Sequence, residues 1–228
     1  VSARGHVLAL CLSATAYGGC GFALAQTAKV LPKGEGNTAI GGGVLSSQVD
    51  ADRGGWRAPQ DVATELGGRI GAGHSTDIGV NGYLGLGAMV DVKVSLLDQR
   101  RPGAVAVRAG FGVGGSPLSG TFDTNLQVGV LGSYDLGASF SSYAAIVFAN
   151  HWVSASAPTT PLPAGTVRVG RAGYGDGVLE LHAGFALAEA RRQRGAYLEY
   201  VFWLPAQDDP GDNFKFAQTH IIELIARF

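Results

Sequence analysis

Four stretches of this chain carry residue types that could do chemistry. Gly110-Phe111-Gly112-Val113-Gly114-Gly115 fits the G-x-G-x-x-G pattern and follows an alternating, strand-like run. A dinucleotide site also needs a helix opening at the third glycine, so that its N-terminus can hold pyrophosphate. Here Ser116-Pro117-Leu118-Ser119-Gly120 follows, which reads as loop, so the glycines read as room in a crowded strand. His151 and Ser154 are three residues apart, and Glu180 is a conceivable carboxylate partner. In such chemistry a histidine takes the serine proton and a carboxylate orients the histidine. The ordinary reading is a histidine beside an interfacial Trp152. Glu180 and His182 lie two residues apart and could bind a metal or relay a proton, but an ion pair is the simpler expectation. His6, His74, His151, His182 and His220 show no close metal-ligand spacing. Arg191-Arg192-Gln193-Arg194 could touch anionic headgroups, although a solvated turn explains it equally. The expectation is therefore no enzyme, no cofactor and no metal.

Composition narrows what could position such residues. The chain has 228 residues, of which 15% are charged and 36 are glycine; usual shares are about 25% charged and about 7% glycine. Its formal net charge is −1, which gives no basic field for nucleic acid. Mean hydropathy is +0.17, high for a soluble protein. Beyond the N-terminus, however, no run of about 20 apolar residues could cross a bilayer as a helix. Residues 1–25 read as an export signal: Arg4, then the apolar Val7 to Ala16, then Ala23-Leu24-Ala25 as a small-x-small cleavage site. A rival cut at Cys20 would give a lipoprotein. Cleavage after Ala25 removes Cys11 and Cys20 and leaves no thiol.

Residues 26–36 are polar, contain Pro32 and read as a short extended periplasmic lead-in. From residue 37 to 228 the pattern is strands and turns. Side chains in a strand point alternately to opposite faces. Val90, Val92, Val94 and Leu96 oppose Asp91, Lys93 and Ser95; Leu198, Tyr200, Phe202 and Leu204 oppose Glu199. Similar alternation marks 62–72, 76–86, 104–114, 178–189 and the final run, and more weakly 37–49, 124–135 and 139–152. The expectation is an all-β, antiparallel up-and-down transmembrane barrel of about ten strands, within roughly 8–12. Short turns at 73–75, 98–103, 135–138 and 190–195 alternate with longer connections at 47–61, 115–123, 153–177 and 205–213, as the two ends of such a barrel require; the exception is Gly85-Leu86-Gly87, where only a tight turn fits on the long-loop side. Residues 166–173 could form another strand, but an even strand number assigns them to a loop hairpin. With the short turns inside, Tyr134, Phe140 and Phe228 fall at the inner rim, and Phe148, Trp152, Trp203, Phe214 and Phe216 at the outer rim.

The signal, the strand pattern and the ending His220-Ile221-Ile222-Glu223-Leu224-Ile225-Ala226-Arg227-Phe228 resemble a small Gram-negative outer-membrane β-barrel protein. The resemblance covers nearly the whole chain and implies a class, not an activity. In that class a C-terminal aromatic on an alternating strand serves as the barrel-assembly signal; Ile222, Leu224 and Phe228 match, and Ala226 departs from the aromatic often found there. Within the class, His151 and Ser154 resemble the His and Ser of lipid A deacylases, but their spacing is wider. Turning the apolar face to lipid puts Glu65, Arg69, Asp77, Asp91, Lys93, Arg108, Glu180, His182, Glu199, Glu223 and Arg227 inside. Charges sealed in a narrow lumen pair with one another, because isolated burial costs several kcal/mol. The resulting expectation is a monomer in the bacterial outer membrane with a salt-bridged lumen and a structural or surface-interaction role. Its partners would be outer-membrane lipids and the barrel-assembly machinery, not nucleic acid. The alternatives are a narrow, porin-like channel for small solutes, a lipid-modifying enzyme, and a soluble periplasmic lipid-binding barrel.

Overall fold

The computed structural model describes residues 25–47, 61–83, 87–116, 121–155, 174–189, 192–205 and 219–228. Ten strands follow in order: β1 (Gly36–Ser47), β2 (Asp61–Gly71), β3 (Thr76–Tyr83), β4 (Gly87–Ser95), β5 (Gly103–Ser116), β6 (Thr121–Asp135), β7 (Phe140–Ala155), β8 (Tyr174–Glu189), β9 (Arg194–Pro205) and β10 (Thr219–Arg227). Each pairs antiparallel with the next, and β1 pairs with β10, so the sheet closes into a barrel with no free edge. The closing register sets Ala39 opposite Arg227 and Gly43 opposite Glu223. Alternating apolar residues can all reach one environment only in an extended chain, and closure satisfies the backbone groups that an open edge would leave unpaired.

The turns at one end are short and carry their own hydrogen bonds. Asp98 accepts from the Arg100 amide at 3.0 Å through its side chain and from the Arg101 amide at 3.1 Å through its carbonyl, an Asx-type turn. Gly195 sits at φ +147°, where an added Cβ would lie 2.5 Å from the Ala188 Cα, so glycine lets β9 start against β8. At the other end β5 and β6 run further than the sequence pattern predicts. Ser116 pairs with Thr121, which shortens the expected long connection 115–123 to residues 117–120. Strand pairing extends wherever backbone partners face each other, and alternation weakened by glycine does not mark that limit. Residues 166–173 lie outside the described residues.

Burial is inverted relative to a soluble barrel. Along β4, Val90 and Val92 are 49% and 39% exposed while Asp91 and Lys93 are 1% and 0% exposed. Phe111, Val128, Ile146, Leu198, Ile222 and Leu224 all point outward. An apolar exterior this continuous is stable only against another apolar phase. The architecture is that of a transmembrane β-barrel. Trp203 corrects the outer aromatic rim: it is 8% exposed and shares the inward face with Glu199 and Val201, while Phe148 and Trp152 do face out. Phe214 and Phe216 lie outside the described residues.

The lead-in is also relocated. Ala25, Gln26, Thr27, Ala28, Lys29, Val30 and Leu31 are buried inside the barrel rather than lying free beneath it. The segment joins the sheet through one parallel bridge, Lys33 to Gly71, and the chain then turns into β1. Gly71 makes this crossing possible, since an added Cβ there would stand 2.5 Å from the Leu31 carbonyl oxygen.

Candidate functional site: a charged lumen and the segment inside it

Two linked clusters of ionised side chains occupy the lumen. The first is built on β2 to β5. Register sets Arg69 opposite Gly79, Gly79 opposite Asp91, Asp77 opposite Lys93, and Lys93 opposite Arg108, so five charged inward positions on four neighbouring strands converge. Arg69 Nη2 lies 2.6 Å from Asp77 Oδ1 and 2.7 Å from Asp91 Oδ1, and its Nη1 donates to Asp91 Oδ2 at 3.1 Å. Lys93 Nζ reaches Asp77 Oδ2 at 3.3 Å, and Arg108 Nε reaches Asp91 Oδ1 at 3.2 Å. Arg108 Nη1 also donates to Gln127 Oε1 at 3.1 Å. The guanidinium of Arg69 lies over Gly79, where a Cβ would come within 2.8 Å of both Arg69 Cζ and Asp91 Oδ2. The glycine between the two acids along the barrel wall is therefore what lets one arginine bridge both. Each ion here loses water, and multiple charge-assisted hydrogen bonds offset that loss.

The second cluster spans β7 to β10 and β1. His182 Nδ1 stands 2.5 Å from Glu199 Oε1 and its Nε2 3.2 Å from Glu180 Oε2, so the ring lies between two carboxylates. Tyr143 Oη donates to Glu199 Oε2 at 3.0 Å, and the Ala25 amide donates to the same oxygen. Arg227 packs its guanidinium 5.5 Å from the Tyr197 ring centroid and bonds Asn37 Oδ1 at 3.4 Å. Glu199 and Glu223 are directly opposite across β9 and β10, a like-charge pairing that needs such partners. Glu65 and Glu223 flank β1 opposite Gly41 and Gly43; an added Cβ at Gly43 would lie 3.3 Å from the Glu223 Cβ, so this glycine leaves Glu223 room.

All of Glu65, Arg69, Asp91, Lys93, Arg108, Glu180, His182, Glu199, Glu223 and Arg227 are thus inside and at most 4% exposed. Asp77 joins them. Alternation points to these because each sits between lipid-facing neighbours. It points less clearly to Tyr143, whose run Tyr143-Ala144-Ala145 offers no polarity contrast. Tyr197 is the easier omission to repair, since it shares the strand face of Glu199. Gln193 lies in a turn, where no periodicity applies; its Nε2 donates to the Lys29 carbonyl at 2.7 Å.

The triad considered for His151 is not assembled around Glu180. Register sets Asp176 opposite His151 and Val147 opposite Glu180, four residues away, which is about 13 Å along a strand. Glu180 is engaged by His182 instead. The side chains of His151 and Ser154 lie outside the described ones. Residues 191 and 190 are also outside them, while Arg192 is exposed beside Glu35 at 3.5 Å. Among the described residues no His, Cys, Asp and Glu group has metal-site geometry. Ile222, Leu224 and Phe228 face outward, 58%, 60% and 65% exposed.

No protein-family model matches the sequence, and no curated protein matches it. Solved structures similar to the chain are outer-membrane β-barrels. The N-terminal β-barrel domain of Pseudomonas aeruginosa OprF has a TM-score of 0.37 at 6% identity, covering 86% of this chain and 100% of that one. Ail of Yersinia pestis, solved with the heparin analogue sucrose octasulfate, has a TM-score of 0.35 at 9% identity, with 86% and 100% covered. OprG of Pseudomonas aeruginosa has a TM-score of 0.29 at 14% identity, with 89% and 99% covered.

Proposed function

We propose that this protein is a monomeric, non-enzymatic barrel of the bacterial outer membrane with a closed lumen. Its role is structural or surface-interacting, with recognition carried by the connections at the end opposite the short turns. One observation carries the reading: among the described strand residues, charged side chains are sealed inside while the outward face is mainly apolar, as Lys93 at 0% and Leu224 at 60% exposure illustrate. The ion pairs of Arg69, Arg108 and His182, together with the buried residues 26–31, lie across the lumen. Residues 1–25 act as the export signal in this reading, and the outward face of β10, with Ile222, Leu224 and Phe228, is what the assembly machinery reads. Outer-membrane lipids are its solvent and no cofactor is required. The test is to express the full chain in a Gram-negative host, extract membranes with carbonate, and record the purified protein in planar bilayers. Retention in the outer-membrane fraction, a heat-modifiable band and no conductance are expected. Release by carbonate, or material that stays dissolved without detergent, refutes the membrane placement; conductance by the full chain refutes the closed lumen.

A further inference from the structure

We infer that residues 26–32 are a stopper built into the chain, and that the lumen they occupy conducts small cations once they leave it; this deepens the closed-barrel reading and rests on it. The first argument is space. Eight strands enclose an interior that side chains can fill by themselves, and the diameter grows with strand number. This barrel has ten. Towards the short turns, the inner wall along β5, β7 and β8 nevertheless carries the small, buried Ala104, Ala106, Ala145, Ala186 and Ala188. The long charged side chains stand mainly on the other strands. The lead-in enters the gap between the two walls: Ala28 belongs to one buried cluster with Ala104, Ala106, Leu131, Ala145 and Val147.

The second argument is how the segment is held. Its attachments use mainly its own backbone and lumen side chains. The Ala28 amide donates to Ser133 Oγ at 3.1 Å and the Leu31 amide to Asp77 Oδ2 at 3.2 Å. The Thr27 carbonyl accepts from Lys93 Nζ at 3.0 Å, and the Ala25 carbonyl from Arg227 Nε at 3.2 Å. Lys29 pairs with Asp135 near the short-turn rim. Water can replace each of these, and the barrel ladder from β1 to β10 does not depend on them. A mature chain starting at Gln26 keeps every one of these contacts except those of Ala25. The third argument is charge. Among the described residues, six buried strand carboxyl groups, of Glu65, Asp77, Asp91, Glu180, Glu199 and Glu223, face four buried strand bases, of Arg69, Lys93, Arg108 and Arg227, together with His182. An opened lumen of that balance favours cations.

The test compares three proteins in planar bilayers under a KCl gradient: the full chain, a deletion of residues 26–33 placed behind the native residues 1–25, and Ala28→Arg in the full chain. Ala28→Arg leaves every strand residue intact but puts a long cation into a buried alanine wall, so it expels the segment even if the deletion fails to assemble. The full chain should be silent. Both variants should show current steps, with reversal potentials shifted toward the potassium equilibrium value. A synthetic peptide of residues 26–34, added to the deleted barrel, should remove the steps. Heat-modifiable but silent variants overturn the stopper and leave the closed-barrel reading standing, since side chains would then seal the lumen alone. Anion selectivity overturns the charge argument. Steps already present in the full chain overturn the closed-barrel reading itself.

Discussion

Val128→Arg is the sharpest test of how the barrel sits in lipid. Val128 is 52% exposed on β6, six residues from Phe122 at 54% and six from Tyr134 at 52%, all on the outward face. Six residues rise about 20 Å along a strand. With a tilt of about 40°, that is about 16 Å along the membrane normal, a little beyond half of an apolar band about 25 Å tall. The two aromatics thus fall at opposite interfaces and Val128 at the midplane. An arginine there should cost about 2–4 kcal/mol, while Tyr134→Arg, at the rim, should cost about 0–1 kcal/mol. The midplane penalty corresponds to a factor of about 30 to 700 in the folding equilibrium. The assay is reversible guanidinium unfolding in lipid vesicles, followed by tryptophan fluorescence, with equal slopes required for the comparison. Equal costs at positions 128 and 134, or a larger cost at 134, would refute the depth assignment. A negligible cost at both would refute contact of this face with lipid.

The remaining predictions concern the interior. Asp91→Asn removes the charge shared by Arg69 and Arg108 and should destabilise the barrel by about 3–5 kcal/mol in the same unfolding assay, because it leaves two guanidinium groups under-compensated. A double substitution with Arg69→Met should recover part of that loss; strict additivity would show that the two groups do not interact. Gly79→Val pushes a side chain into the Arg69 and Asp91 contact and should cost about 1–3 kcal/mol, whereas Gly132→Val, with nothing within 4 Å of its Cβ, should cost less. Tyr143→Phe removes the hydroxyl that donates to Glu199 and should cost about 1.5–3 kcal/mol; an unchanged midpoint would show that His182 suffices for that carboxylate.

The sequence by itself determined which residues see lipid and which see the lumen. That assignment is local: the side-chain period of a strand is two, so a Val-Asp-Val-Lys-Val run such as Val90 to Val94 declares both faces whatever it pairs with. Ten runs of the right length, joined alternately by short and longer connections, then leave closure as the arrangement with no unpaired edge. Tertiary structure alone decided which charges meet. Arg69 bridges Asp77 and Asp91 because of the stagger between β2, β3 and β4, and stagger is a relation between strands that no single strand encodes. It also decided the place of the lead-in. Gln26 to Lys33 has no period and no strong polarity contrast, so nothing local separates a tail in water from a segment inside a barrel. Its burial follows from a space that exists only after ten strands have closed with alanine and glycine along the facing wall. Trp203 points inward for a related reason: the strand face it shares with Glu199 outweighs the preference of its ring for an interface.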